Sequence, residues 1–182
     1  MGNLLVGMSK ADITPKLGCL LYGYPSKRYA ERVMDPLSVG VAAFVQDEKK
    51  VLLFSAEVCE ISTELCDKIR REIAVHTGVE EENILYAATH THSGPVTKTN
   101  PGWGEADEDY INEILLPASV KAARQALCHV RPAVMGIGTV ASNAGINRRE
   151  TAEDGEVILG QNPDGLYDPA MTVVSFKDQE GD

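Results

Sequence analysis

The segment spanning residues 51–88 restricts the fold most, because it predicts two β-strands separated by a helix. Short apolar runs at 51–54 and 84–88 are typical of buried strands, whereas residues 62–77 place an apolar side chain at every fourth position. Ser62 or Thr63 can cap this helix at its start, and Gly78 can end it. A strand–helix–strand unit of this length closes with a right-handed crossover, which makes its two strands near neighbours in one sheet. The segment therefore predicts an α/β fold.

The remaining pattern extends this prediction to a mixed β-sheet with β-hairpins and helices packed against it. A polar turn at 47–50 joins two apolar runs and predicts a hairpin. The turn expected at 178–182 ends the chain where another strand should begin, so we expect residues 1–182 to form a single domain that is the N-terminal fragment of a larger α/β domain. The further predicted elements are strands at 4–13, 37–46, 133–139 and 171–177, and a helix at 107–129 that Pro117 kinks.

Charge and composition exclude several classes of function. The chain carries a formal net charge of −10 with scattered Lys and Arg residues, which argues against binding to nucleic acid or to an anionic membrane. It shows neither a signal peptide nor a transmembrane segment, and its four cysteines form no C-x-x-C pair. We therefore expect a cytoplasmic protein with reduced, mostly buried thiols.

Two of the four histidines, His90 and His92, stand in a polar turn that directly follows the predicted strand at 84–88. Loops at the carboxyl ends of strands line the crevices where α/β proteins place their sites. Residues two apart in an extended segment face the same way, so one imidazole can bind a metal while the other transfers a proton. Both can bind one ion if the backbone bends, or they can simply satisfy backbone groups of the loop.

Other polar residues near strand ends are weaker candidates. Arg148, in a turn at 146–149, can clamp a carbonyl or anionic oxygen or can be solvated. Glu57 follows a strand and is a possible hydrogen-bonding partner for a histidine. The glycine-rich loop at 18–24 is a candidate pocket wall, and Trp103 lies in a loop that can form its rim or anchor the core.

Five motifs, in this order, give the chain its resemblance to the N-terminal part of the neutral (alkaline, non-lysosomal) ceramidase family. They are KADITP at 10–15, DPL at 35–37, ATHTHSGP at 88–95, INR at 146–148, and NPDG followed by DP at 162–169. The resemblance covers nearly the whole chain. The chain departs from the family at Arg149, at 96–97 and at Glu57, which bears on substrate specificity more than on reaction type.

The resemblance implies a zinc-dependent amidase that cleaves the N-acyl bond of ceramide or of another N-acyl, lipid-like compound. By similarity, His90 is a zinc ligand, whereas His92 and Arg148 are catalytic residues that contact the reacting amide or its oxyanion. The family's other ligands would lie beyond Asp182, so the remainder of a parent chain would have to complete the site. Because one or two histidines hold zinc poorly, we expect this chain alone to bind zinc weakly and to be inactive.

Two alternatives remain open from the sequence. The first is a non-catalytic domain of the same fold that binds a ligand or a partner through the histidine turn. The second is a phosphoester hydrolase in which His90, His92 and Arg148 hold an anion. Further metal ligands downstream would favour the amidase over the first alternative, and competition by inorganic phosphate would favour the second.

Overall fold

The computed structural model describes residues 4–24 and 26–178, which divide into two compact units, Met1–Ala133 and Val134–Asp182. Most of the hairpin turn predicted at 178–182 lies outside the described residues. The mixed α/β fold predicted from the sequence is confirmed. The strands of the first unit are β1 (Leu5–Asp12), β2 (Leu20–Leu21), β3 (Arg28–Tyr29), β4 (Ser38–Gln46), β5 (Lys49–Ala56), β6 (Ile84–Ala88) and β7 (Arg131–Pro132).

A five-stranded mixed sheet in the order β6-β5-β4-β1-β7 forms the centre of the first unit. β4 and β5 form the predicted hairpin, and their pairing runs from Val39 opposite Ala56 to Gln46 opposite Lys49. β5 and β6 are parallel, as a strand–helix–strand unit requires. The carboxyl ends of β5 and β6 therefore lie side by side at one edge of the sheet.

Helix α1 (Thr63–Thr77) connects these two parallel strands and has both predicted caps. The Ser62 side chain accepts a hydrogen bond from the Leu65 amide at 3.1 Å. At the other end, Gly78 adopts a left-handed conformation (φ 70°) and its amide bonds to the Ala74 carbonyl. Both contacts satisfy backbone groups that a helix end leaves without partners.

The core of the first unit lies between the sheet and its helices. Phe54 on β5 and Tyr86 on β6 stack with ring centroids 5.0 Å apart, and Phe54 is 1% exposed. Burial raises the pKa of the Tyr86 phenol, whose hydroxyl shares a 2.7 Å hydrogen bond with Ser119. This bond ties the parallel strand pair to the second helical segment, since a buried hydroxyl needs a partner.

Residues 108–128 form one helical segment that changes type along its length. It consists of α2 (Glu108–Tyr110), a π-helical turn (Ile111–Leu115) and α3 (Leu116–Cys128). Pro117 lacks an amide hydrogen and would clash with the carbonyl four residues before it in a regular helix. The wider turn before Pro117 relieves that clash, so the predicted kink takes the form of a π-bulge.

The second unit contains two hairpins. The longer pairs β8 (Val134–Ala141) with β11 (Ala170–Lys177), and the shorter pairs β9 (Arg149–Thr151) with β10 (Val157–Leu159). The longer strands correspond to predicted ones, whereas β9 and β10 were not expected. In the part of the chain that the structure describes, no helix is long and apolar enough to cross a membrane.

Candidate metal centre

The histidine turn continues from the carboxyl end of β6 and remains bonded to the chain that follows β5. The Thr89 amide donates to the Ala56 carbonyl at 3.0 Å, and the Thr91 amide donates to the Val58 carbonyl at 3.2 Å. The turn and residues 56–60 therefore lie against each other. This is the edge of the sheet where the sequence predicted a site.

Two residues in this turn, His90 (φ 60°) and Ser93 (φ 67°), have the left-handed backbone conformation that non-glycine residues seldom adopt. The bend at His90 brings its ring against the ring of His92, with the two centroids 5.1 Å apart and the planes at 65°. The two Nε2 atoms lie 3.4 Å apart. The conformation thus fulfils the condition under which both imidazoles can face one ion.

The orientation of His90 is fixed by a backbone carbonyl. Its Nδ1 lies 3.0 Å from the carbonyl oxygen of Cys59, and an oxygen of this kind only accepts hydrogen bonds. We therefore assign the proton of the neutral ring to Nδ1, which leaves the lone pair on Nε2. A metal-binding histidine commonly donates a hydrogen bond from one ring nitrogen to a carbonyl oxygen and binds the ion through the other nitrogen.

The donor set fits a metal ion at the Nε2 atoms. Two nitrogen ligands at about 2.0–2.1 Å from a tetrahedral zinc ion lie about 3.3–3.4 Å from each other. The separation of 3.4 Å between the Nε2 atoms of His90 and His92 therefore allows both rings to face one such ion, and equally allows His92 to hydrogen-bond to the Nε2 lone pair of His90. It also places His92 within reach of another group bound beside His90.

Cys59 is a third candidate donor that the sequence did not single out. Donor atoms of Cys59, His90 and His92 all lie within 4.8 Å of one another. The Cys59 sulfur, however, is 3.5 Å from His90 Nδ1, the nitrogen that bonds to the carbonyl, and burial raises the pKa of its thiol. We therefore assign Cys59 the role of orienting His90 through its carbonyl rather than of binding the ion.

The ring of His92 is held in place by the loop at 18–24. A Cβ atom at Gly23 would come within 2.4 Å of His92 Cγ, so any side chain there would displace the ring. The Tyr22 amide donates to the Gly94 carbonyl at 2.9 Å, and the Ser93 amide donates to the Tyr22 carbonyl at 3.1 Å. These contacts place the loop at 18–24 against the histidine turn.

A polar network supports the segment that carries the Cys59 carbonyl. The Glu60 carboxylate pairs with Lys98 Nζ at 3.2 Å and accepts a hydrogen bond from Asn100 Nδ2 at 3.0 Å. The hydroxyl of Tyr22 donates to the same carboxylate at 3.2 Å. Lys98 holds the pKa of the Glu60 carboxyl below its usual range, so this group is charged at neutral pH.

A cavity of about 860 Å³ lies beside His92. Thr91, His92 and Ser93 form part of its wall, and Leu17 and Met34 add apolar surface that is 60% and 78% exposed. The volume is within the range of small-molecule binding sites. A ligand in this cavity can contact His92 directly.

The structure places the other candidates elsewhere. Glu57 accepts hydrogen bonds from the amide and the hydroxyl of Ser38, both at 2.7 Å, so these contacts hold the sheet edge and none of them reaches a histidine. Trp103 lies 5.2 Å from the Tyr22 ring, at the polar network. Arg148 belongs to the second unit, where its Nε donates to the Gly160 carbonyl at 3.4 Å, and its catalytic role stays a prediction.

Comparison with known proteins bears on the fold. No protein-family model and no curated protein matches the sequence. Two solved structures match all of this chain with a TM-score of 0.81 each: neutral ceramidase from Pseudomonas aeruginosa, at 21% identity, and ceramidase complexed with C2, at 22% identity. The chain has a ceramidase-like fold.

The likeness confirms the resemblance that the sequence motifs indicated. The chain spans 30% of the length of each of these ceramidase structures. With identities of 21% and 22%, the match establishes the fold. The chemistry of the site rests on the arrangement of this chain's own residues.

Two contacts of the site were missed in the sequence. Cys59 and His90 are 31 residues apart, and no local pattern reports that a carbonyl at one position will bond to a ring at the other. Gly23 gave a partial signal, because a glycine between two tyrosines indicates a restricted backbone or a close contact. That the contact is with His92 depends on the tertiary fold.

Proposed function

We propose that this chain supplies the first half of the active site of a zinc-dependent amide hydrolase that cleaves N-acyl bonds. The metal would be held by His90 through Nε2. His92 would transfer protons, and Arg148 would stabilise the negative charge that develops on the amide oxygen. The remaining ligands would come from chain outside these 182 residues.

One observation carries this proposal: the Nε2 atoms of His90 and His92 lie 3.4 Å apart while the Cys59 carbonyl occupies His90 Nδ1. At this separation the two Nε2 atoms can share a hydrogen bond, so their convergence indicates a metal ligand only together with the Nδ1 contact, which fixes Nε2 of His90 as the nitrogen with the lone pair. The convergence leaves one lone pair, on His90, directed at a position next to His92. That arrangement suits a ligand and an adjacent proton-transferring group.

A zinc ion at this position would supply Lewis acidity for the amide carbonyl and for the attacking water. The protein's own residues have separate tasks. The Cys59 carbonyl keeps the proton of His90 on Nδ1, and the loop around Gly23 fixes the ring of His92. His92 is exposed on the cavity wall, where it can take a proton from water and deliver it to the leaving amine.

The cavity next to His92 favours an amide with a long apolar acyl chain. Its wall includes Leu17, Val33 and Met34, whose exposed fractions are 60%, 49% and 78%. Exposed apolar side chains inside a cavity are unfavourable in water and gain from an apolar ligand. A lipid-like N-acyl substrate agrees with what the neutral ceramidase name says of the protein with the similar fold.

Zinc titration of four chains tests the proposal. We expect weak zinc binding by the unchanged chain, and His90→Ala should weaken it by more than about tenfold, since loss of even an outer partner costs about 10–100-fold. His92→Ala should keep most of the affinity. His76→Ala is the matched control, because that imidazole lies on α1 near Glu72 and should not matter.

Three results would contradict the proposal. Equal losses in His90→Ala and His76→Ala would show that zinc binds elsewhere. Equal losses in His90→Ala and His92→Ala would make both residues ligands and overturn the division of roles. Tight binding or amide hydrolysis by the unchanged chain would show that a complete site lies within these residues.

A further inference from the structure

Arg28 lies on β3, which pairs with β2, the strand that the histidine turn holds in place. β2 and β3 pair with Leu21 opposite Arg28, and Leu21 also forms a β-bridge with Pro95, at the end of the histidine turn. The backbone bonds of Tyr22 to the same turn add to this connection. Arg28 is therefore tied to the segment that carries His92, although the two residues are distant in sequence.

The guanidinium of Arg28 is fixed by an aromatic ring. Its Cζ lies 4.5 Å from the centroid of the Tyr24 ring, and the Tyr24 hydroxyl bonds to the hydroxyl of Ser93, next to His92. A guanidinium over a ring keeps the donors at its edge free for a ligand. Within residues 4–24 and 26–178, no carboxylate lies within 4.0 Å of Arg28.

The charge of the cavity differs from that of the protein. Three cationic side chains and two carboxylates line the cavity, which gives a net charge of +1, whereas the whole chain carries −10. Only one of the cations, Arg28, stacks on a ring that is bonded to the histidine turn. A cation that has no carboxylate partner among the described residues, next to an apolar wall, favours an amphiphile with an anionic group. The charged residues are Lys27, Arg28, Glu31, Arg32 and Asp35.

We propose that the substrate is an N-acyl amino acid, an acyl amide whose amine portion bears a carboxylate that Arg28 binds. This inference rests on the proposed amide hydrolysis and narrows it. The acyl chain would lie along the apolar wall and the amide next to His92. The planar carboxylate would receive two hydrogen bonds from the fork of the guanidinium. An N-acyl amide with a neutral amino alcohol would lack this contact.

Binding of two matched probes to the metal-free chain tests the inference. N-dodecanoylglycine and N-dodecanoylethanolamine share the acyl chain and the amide, and differ in carrying a carboxylate or a hydroxyl. Calorimetric titration below their micelle-forming concentrations, with a chelator present, measures binding without any contribution from zinc. We expect the carboxylate probe to bind on the order of tenfold more tightly, as a charge-assisted pair allows.

Variants assign the preference to Arg28. Arg28→Gln should bind both probes with equal affinity, and Arg28→Lys should keep part of the preference, because it keeps the charge but loses the fork. Lys27→Gln is the matched control on the same wall and should retain the full preference. Far-UV circular dichroism confirms that each variant is folded.

The inference is overturned if the unchanged chain binds both probes equally, if Arg28→Gln keeps the preference, or if Lys27→Gln loses it as fully. Such a result leaves the amide hydrolase proposal intact when zinc binding still depends on His90. If zinc binding does not depend on His90 while the preference for the carboxylate probe is intact, the hydrolase proposal is refuted and the binding of an anionic ligand by Arg28 still stands.

Discussion

Substituting alanine for Gly23 should displace His92 without altering any residue proposed to act in the reaction. Gly23 has φ 94°, and a Cβ atom built there would lie 2.4 Å from both Cγ and Nδ1 of the His92 ring. Carbon atoms in ordinary contact are about 3.5 Å or more apart. The ring must therefore move by about 1 Å, a displacement sufficient to cost about 100-fold in a reaction that depends on alignment.

Gly18→Ala separates this displacement from backbone strain. Gly18 lies in the same loop with φ 86°, yet a Cβ atom there would have no neighbour within 4 Å. Both substitutions place alanine at positive φ, which costs about 1–2 kcal/mol and is partly offset by a less flexible unfolded chain. Gly18→Ala should therefore lose about 1 kcal/mol and about 2–4 °C in Tm. Gly23→Ala should lose more, because its Cβ atom would also lie 2.9 Å from His92 Cβ, which a rotation of the ring does not move.

Imidazole resonances in NMR spectra and thermal melting provide the two measurements. The His92 signals should shift in Gly23→Ala and keep their positions in Gly18→Ala, and the melting temperature of Gly23→Ala should be the lower of the two. Unchanged His92 signals in Gly23→Ala would refute the argument that this glycine positions the ring. A shift of the same size in Gly18→Ala would attribute the effect to the loop as a whole.

Two further predictions concern stability. Phe54→Ala should lower the free energy of unfolding by about 3–5 kcal/mol in urea denaturation, because Phe54 is buried against Tyr86. Leu53→Ala, on the exposed face of the same strand, is the control and should cost under about 1 kcal/mol. Equal losses in the two variants would contradict the assigned core. Glu60→Gln should reduce stability by less than about 1 kcal/mol at neutral pH. Because Lys98 lowers the pKa of the Glu60 carboxyl, that contribution is complete above the usual pKa of glutamate and is lost as the pH falls through the folded-state value. The difference between the two chains should therefore shrink in acid, and a difference that grows there would contradict the ion pair.

The elements that could be predicted from sequence are those specified by nearby residues. α1 was predicted with its caps because the apolar period, Ser62 and Gly78 all lie within one segment. The β4–β5 hairpin followed in the same way from two apolar runs around a short polar turn. In both elements the local preference of the chain agrees with the tertiary structure.

The features that could not be predicted depend on contacts between distant residues or on weak patterns. The strands β9 and β10 have three residues each, all exposed, so no alternation of buried and exposed side chains indicates them. Pro117 indicated a kink but not that the chain would form a π-bulge before it. The left-handed turn at His90 has no residue signal, because only the surrounding contacts maintain a non-glycine residue there.

This distinction applies to the candidate site as well. The spacing of His90 and His92 was sufficient to indicate a site at the end of β6, and the fold places both rings there. It did not indicate the Cys59 carbonyl that selects which nitrogen of His90 is free. That contact decides how the ring can bind a metal, and it arises because β5 and β6 are parallel neighbours.

The most direct test of the account is the position of zinc in crystals of this chain soaked with the metal, located by anomalous scattering at the zinc edge. We expect an anomalous peak at about 2.0–2.1 Å from Nε2 of His90, on the side that faces His92. A peak bound to His90 Nδ1 or to the Cys59 sulfur, or zinc bound only at sites away from the histidine turn, would contradict it.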